Sequence, residues 1–207
     1  MKKMVPLFFL LLFVFAPITI AEANIASSGD SATPPPKVLG LTFGATRQQV
    51  KNLYINRFKA KPIREKDDAL MYLDALVDIP SVYDVVYEFY GDRLAKITVR
   101  LDTETTDDSA FLLLSVYNQY KEMLREKYGT PESYEGMDKD YDTDESRLVG
   151  LKTGKGCYAS LWRTKDLAID LALEGDAGEL GFVLLYEYRP LYKKLLEERK
   201  KKTTESL

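Results

Sequence analysis

The chain has 207 residues, 45% of them hydrophobic, with 29 Lys and Arg against 32 Asp and Glu, one cysteine and no histidine. A net charge of −3 argues against a nucleic-acid binder, which carries a strong basic excess. The missing histidine removes histidine-dependent triads and the usual zinc sites, and a lone cysteine forbids an internal disulfide, so the fold must rest on its core.

The first 23 residues have the layout of a secretory signal peptide. Lys2 and Lys3 precede an apolar run from Val5 to Ile20, and Ala21-Glu22-Ala23 supplies small residues for a signal peptidase. Pro6 and Pro17 interrupt the run, which is also short for a membrane span. Cleavage after Ala23 is therefore expected, with a periplasmic or secreted location and no stable membrane insertion afterwards. Residues 24–37 are rich in Ala, Ser, Thr and Pro and read as a flexible tether.

A single domain is expected over 38–202. Thr46 and Gln49 match a capping box, and Val50, Leu53, Tyr54 and Phe58 recur at helical spacing, so a helix is expected from Arg47 to about Asn56. Ala60–Arg64 and Leu70–Ala75 read as strands. Tyr83, Val85, Tyr87 and Phe89, then Ala95, Ile97, Val99 and Leu101, alternate on either side of Gly91-Asp92, which suits a type II′ hairpin. The longest helix starts at Asp107 and stops before Gly129 and Pro131. Residues 133–145 lack periodicity and read as a loop. Strands follow over Cys157–Arg163, Leu167–Glu174 and Gly181–Arg189, then a closing helix from Pro190 to Lys202 and a disordered tail over 203–207. The fold class is thus α+β, an antiparallel sheet with helices packed on one face, in two helix-then-meander halves (38–105 and 106–202).

The segment Leu39-Gly40-Leu41-Thr42-Phe43-Gly44, with Thr46, Gln49 and Val50 behind it, resembles a pattern in an uncharacterised group of small periplasmic proteins. Tyr128-Gly129-Thr130-Pro131 and the later Trp162 fit the same likeness. More distantly, the chain resembles the outer-membrane assembly lipoprotein family SmpA/BamE and β-lactamase-inhibitor-like domains. The resemblance implies a helix-and-meander unit that binds other proteins. The lipobox cysteine of those lipoproteins is absent here.

No catalytic residue stands out. Ser160 and Ser115 lack a nucleophile-elbow context, and Cys157, in a strand-like run, reads as a small buried residue. Asp138, Asp140, Asp142 and Asp144 alternate like the opening of a calcium loop, but Thr143 stands where that loop needs glycine and Val149 where it needs glutamate. No cofactor is implied. Tyr90, Tyr158 and Trp162 are candidate outer-face aromatics for a partner protein or glycan, against the alternative of packing under a helix. The expectation is an exported, non-enzymatic envelope protein that binds another envelope protein. The alternative is a small Asp/Glu-dependent hydrolase or carbohydrate-active protein.

Overall fold

Strand alternation and helix caps between them dictate most of the architecture in the computed structural model, which describes residues 34–73, 84–103, 107–143, 146–176 and 179–205. The expected signal peptide, residues 24–33 of the tether, Asp74 and Ala75 of the expected second strand, Tyr83 and Asp144 lie outside the described residues.

Two short strands, β1 (Lys37–Val38) and β2 (Leu41–Thr42), form the entry hairpin. Its turn, Leu39-Gly40, has φ of 49° and 81°, the pair of positive values a type I′ turn requires. The hairpin delivers Phe43 into the core, where its ring stacks on Tyr188 at 5.7 Å. Helix α1 (Arg47–Phe58) then starts on the capping box read from the sequence: Gln49 N–H donates to Thr46 Oγ1, and Thr46 N–H to Gln49 Oε1. It runs two residues past Asn56 and stops where Lys59 turns left-handed. Its buried positions, Val50 and Tyr54, are one turn apart.

Strands β3 (Arg64–Lys66), β4 (Ala69–Leu73), β5 (Asp84–Tyr90) and β6 (Arg93–Thr103) form the first meander. At the β5–β6 turn Gly91 has a φ of 57° while Asp92 does not go positive, which is the type II′ pattern. Helix α2 (Asp107–Tyr128) opens the second half. It leads into β7 (Glu132–Met137), a one-turn 3-10 segment (Lys139–Tyr141), α3 (Arg147–Lys152), β8 (Gly156–Arg163), β9 (Leu167–Asp176), β10 (Glu179–Tyr188) and the closing helix α4 (Arg189–Glu205).

The eight longer strands make one antiparallel sheet in the order β3-β4-β5-β6-β10-β9-β8-β7. Each half is a helix followed by a four-stranded meander, and the halves join through their last strands, β6 and β10. The fold is therefore α+β with two helix-then-meander halves. Across β5, β6, β10, β9 and β8, Val85, Val99, Leu184, Leu171 and Ser160 stand in register. All five are 0% exposed, because this face lies beneath α1, α2 and α3. Tyr54 of α1 stacks on Tyr72 of β4, Tyr120 of α2 meets Phe182 of β10 edge-on, and Leu151 of α3 joins the same core.

The closing helix adds a cover to part of the opposite face. Tyr192 of α4 lies over Lys96 of β6, and Arg199 pairs with Glu88 of β5 and Asp68 of the β3–β4 turn. Lys96 itself sits between Glu88 and Glu187, its neighbours across the strands, at 3.6 and 3.7 Å. These charges line the contact beneath the helix, which also buries Leu195.

Four details differ from the sequence expectations. Residues 133–145 are not a continuous loop, because β7 and the 3-10 turn occupy them; β7 is an edge strand with five of six residues exposed, so it shows no alternation. Of Ala60–Arg64 only Arg64 is in a strand, as the first residue of β3, since the left-handed Lys59 and Pro62 hold the chain irregular before it. Helix α4 continues through Thr203, Thr204 and Glu205, the threonine hydroxyls donating to the carbonyls of Arg199 and Lys200. Cys157 is exposed rather than buried, because Tyr158 next to it takes the core side of β8. Among the described residues, no helix is long and apolar enough to cross a membrane.

Candidate binding surface

The sheet's two faces meet very different environments. One residue along from the buried row, Arg100, Val183, Ala172, Ala159 and Tyr134 stand in register from β6 to β7. Beside them run Leu185, Asp170, Leu161 and Glu132. Helix α4 packs mainly on β5, β6 and β10, so among the described residues no helix lies over the β7–β9 part of this face. Ala159, Leu161, Ala172 and Leu185 are half-buried, and Tyr134 is 50% exposed. Alternation places these residues here: whatever flanks a core position in a strand points to the other side. The result is a flat strip of small and aliphatic side chains with an aromatic at its edge. Charge rims it, with Arg100 exposed and Arg163 ion-paired to Asp170 across β8 and β9.

The covered face holds a polar cluster around Ser160. Ser160, fully buried, lies 2.8 Å from the Tyr117 hydroxyl and 3.1 Å from that of Ser133. Tyr117 donates to Glu135 Oε1 at 2.6 Å, and Lys121 Nζ donates to the same oxygen at 2.6 Å. Burial pushes the Tyr117 hydroxyl well above its ordinary range, and Glu135 pushes it further. Burial would raise the Glu135 carboxyl too, but hydrogen bonds from Lys121 and Tyr117 outweigh it and hold the group below its usual value. Every polar atom named here has a partner, and the cluster ties α2 to β7 and β8. It gives the serine no base with a raised affinity for protons, so it does not assemble an activated nucleophile.

The aromatic candidates separate. Trp162 is 3% exposed beneath the end of α2, its Nε1 donating to the Gly129 carbonyl at 2.8 Å. Tyr158 is half-buried on the same side, edge-on to Tyr117 at 5.8 Å. Both belong to the packing beneath helices. Tyr90 is half-buried at the end of β5, opposite Arg93. The aromatic that does stand beside the uncovered strip, Tyr134, fell in the segment that read as a loop. Nothing in Glu132-Ser133-Tyr134-Glu135-Gly136-Met137 marks which way it points.

The acidic run is likewise dispersed. Asp138 caps the 3-10 turn, its Oδ1 accepting from Asp140 N–H at 3.4 Å, and Asp142 pairs with Arg147 at 2.9 Å. Among the described residues, no group of three or more acidic or cysteine side chains is gathered to hold a metal ion.

Compared by family model, by sequence with curated proteins and by structure with solved ones, the chain finds no match.

Proposed function

We propose that this chain is an exported, non-enzymatic protein-binding module that engages another envelope protein through the uncovered β7–β10 face of its sheet. The observation that carries this reading is the contrast between the two faces: one row of side chains is 0% exposed, while the row beside it runs from Arg100 through Val183, Ala172 and Ala159 to Tyr134 and, among the described residues, has no helix over its β7–β9 part. Such a strip, with a charged rim and an exposed tyrosine at its edge, has the anatomy of a protein interface. Export is supported by the basic, apolar and Ala-Glu-Ala order of residues 2–23.

A photo-crosslinking residue at Ala172 tests the binding half in native envelope extract, with Met123 of α2 as the control position; Met123 is 55% exposed on the far side. A discrete adduct at 172 and none at 123 is expected. Equal labelling at both positions, or no adduct at either, refutes the reading. The mass of the mature N-terminus tests the export half: a chain starting at Asn24 is expected, and an intact leader refutes it.

A further inference from the structure

We infer that β7 is a dimerisation edge: a second copy of the chain adds its own β7 antiparallel to this one, about a two-fold axis at Tyr134, so that two sheets become one. The edge of the sheet is used here rather than its uncovered face, and the inference does not depend on that reading. The sheet ends on β3 and on β7, and the two ends are built differently. Strand β3 is only three residues, Arg64-Glu65-Lys66, all charged and exposed, the kind of short charged strand that blunts an edge. Strand β7 has six residues, five of them exposed, with no lysine, arginine or proline among them, and keeps an unbroken register with β8.

The backbone decides which groups this edge offers. Asp138 N–H donates to the Lys155 carbonyl at 2.8 Å, and at the far end of β8 Thr164 N–H donates to the Leu167 carbonyl at 2.9 Å. Residues of an antiparallel strand bond alternately to one neighbour and the other. Both bonds give the same count: the even-numbered residues of β7 bond to β8, so Ser133, Glu135 and Met137 turn their N–H and C=O groups outward. Among the described residues no strand receives them. A second β7 centred on Tyr134 sets Ser133 opposite Glu135 of the other copy, and these outward groups then exchange N–H···O=C bonds. The two Tyr134 residues fall in the close, non-hydrogen-bonded position with their rings on one face.

Side chains choose this register over its neighbours. Centring the pair on Glu135 sets two carboxylates opposite each other, which is destabilising. Centring it on Ser133 sets Glu135 against Pro131, which has no N–H to give. Centred on Tyr134, Glu132 meets Gly136 of the second copy, where an added Cβ has nothing within 4 Å. Beside Gly136 lies a depression of about 550 Å³, lined also by Tyr134, Lys155 and Cys157. Lys155 is exposed, and neither it nor Glu132 makes an ion pair among the described residues; Glu132 accepts from the Tyr134 hydroxyl. With strands ~4.8 Å apart and residues ~3.4 Å apart, the Glu132 Cα stands about 12 Å from the Lys155 Cα of the second copy, a gap the two extended side chains span. The axis repeats the pair, so each copy supplies one carboxylate and one ammonium. That self-complementarity selects a second copy over an unrelated strand.

Sedimentation velocity of the mature chain from about 10 μM to about 1 mM tests this, and a reversible monomer–dimer equilibrium is expected. Gly136→Glu, at an open position, sets a carboxylate against Glu132 of the other copy; it is expected to weaken the dimer at least about ten-fold and to leave the melting temperature of the dilute monomer unchanged. Glu132→Lys weakens it as well, and adding Lys155→Glu restores it. In a Cys157→Ser background, Tyr134→Cys is expected to form an intermolecular disulfide under mild oxidation, because the Cα atoms of a non-hydrogen-bonded pair are ~4.5 Å apart; Gly136→Cys is not. A chain that stays monomeric across the range overturns the proposal and leaves the edge to a strand of another protein. So does a dimer that Gly136→Glu does not weaken, a charge swap that fails to restore it, or the absence of a disulfide at 134.

Discussion

Replacing Lys96 with Met probes the charged layer under α4 most sharply. The Lys96 side chain is 15% exposed, and its neighbours Glu88 and Glu187 are 14% and 23% exposed. Its Nζ also lies 3.2 Å from the Tyr192 hydroxyl and 4.9 Å from the centre of that ring. Met keeps the aliphatic stem and removes the charge. Breaking a buried ion pair from one side costs roughly 3–5 kcal/mol. Here Glu88 keeps Arg199 at 2.7 Å, so the lower end applies and the loss at pH 7 is about 3 kcal/mol. The pH dependence has a definite sign. Burial raises the Glu187 carboxyl, with Lys96 opposing; removing Lys96 raises it further. A raised carboxyl destabilises only where it is ionised, so the deficit grows as pH rises from the ordinary glutamate value through the folded one, and closes toward pH 4. In the native chain burial would lower Lys96, but Glu88, Tyr192 and Glu187 raise it above its ordinary value. Its contribution is therefore complete below the unfolded lysine value and fades as pH rises through the folded one. Urea unfolding followed by circular dichroism at pH 7 and pH 4 measures both. Adding Glu187→Gln to the variant restores most of the loss. A loss under about 1 kcal/mol at pH 7, the size of an exposed pair, or a loss that does not shrink at pH 4, refutes the reasoning.

Four further substitutions follow from the same geometry. Tyr72→Phe removes an orphaned hydroxyl and raises stability by about 1 kcal/mol; a melting temperature that falls contradicts this. Ser160→Ala leaves Tyr117 and Ser133 each short of a partner and costs about 1–3 kcal/mol by urea titration. In the native chain the stabilisation from Glu135, whose carboxyl is held low despite burial, is present above the ordinary glutamate value and is lost as pH falls through the folded one, which an acid titration of Lys121→Met reads as a diminished transition. Gly150→Ala places a Cβ 2.7 Å from both Met137 Sδ and Tyr141 Cβ, so α3 must shift, and a loss of about 1–3 kcal/mol is expected by thermal melting.

How far these features were legible differs by element. The β5–β6 hairpin and α2 declare themselves, because Val85, Tyr87, Ile97 and Val99 alternate cleanly and Gly129 and Pro131 stop the helix. Strand β7 does not, since an edge strand exposed on both sides carries no period for alternation to follow. Trp162 and Tyr158 could not be placed from spacing alone: a strand residue faces the core or solvent by register, and one step reverses the answer. The same step put Cys157 outside. Tyr72 falls within a run that reads as a strand, but its missing partner is a property of the packing of α1 over β4. No sequence pattern carries that information. The helical extension through Glu205 rests on Thr203 and Thr204 bonding back to the preceding turn, a local choice that a polar Lys-Thr-Thr tail does not announce.

The most direct test of the central claim is the accessibility of the uncovered face in place. In a Cys157→Ser background, Ala172→Cys and Met123→Cys are labelled with a maleimide, first in the purified protein and then in intact envelope. The account predicts that labelling at 172 slows many-fold in the envelope while labelling at 123 is unchanged. Equal rates at 172 in both settings would contradict it.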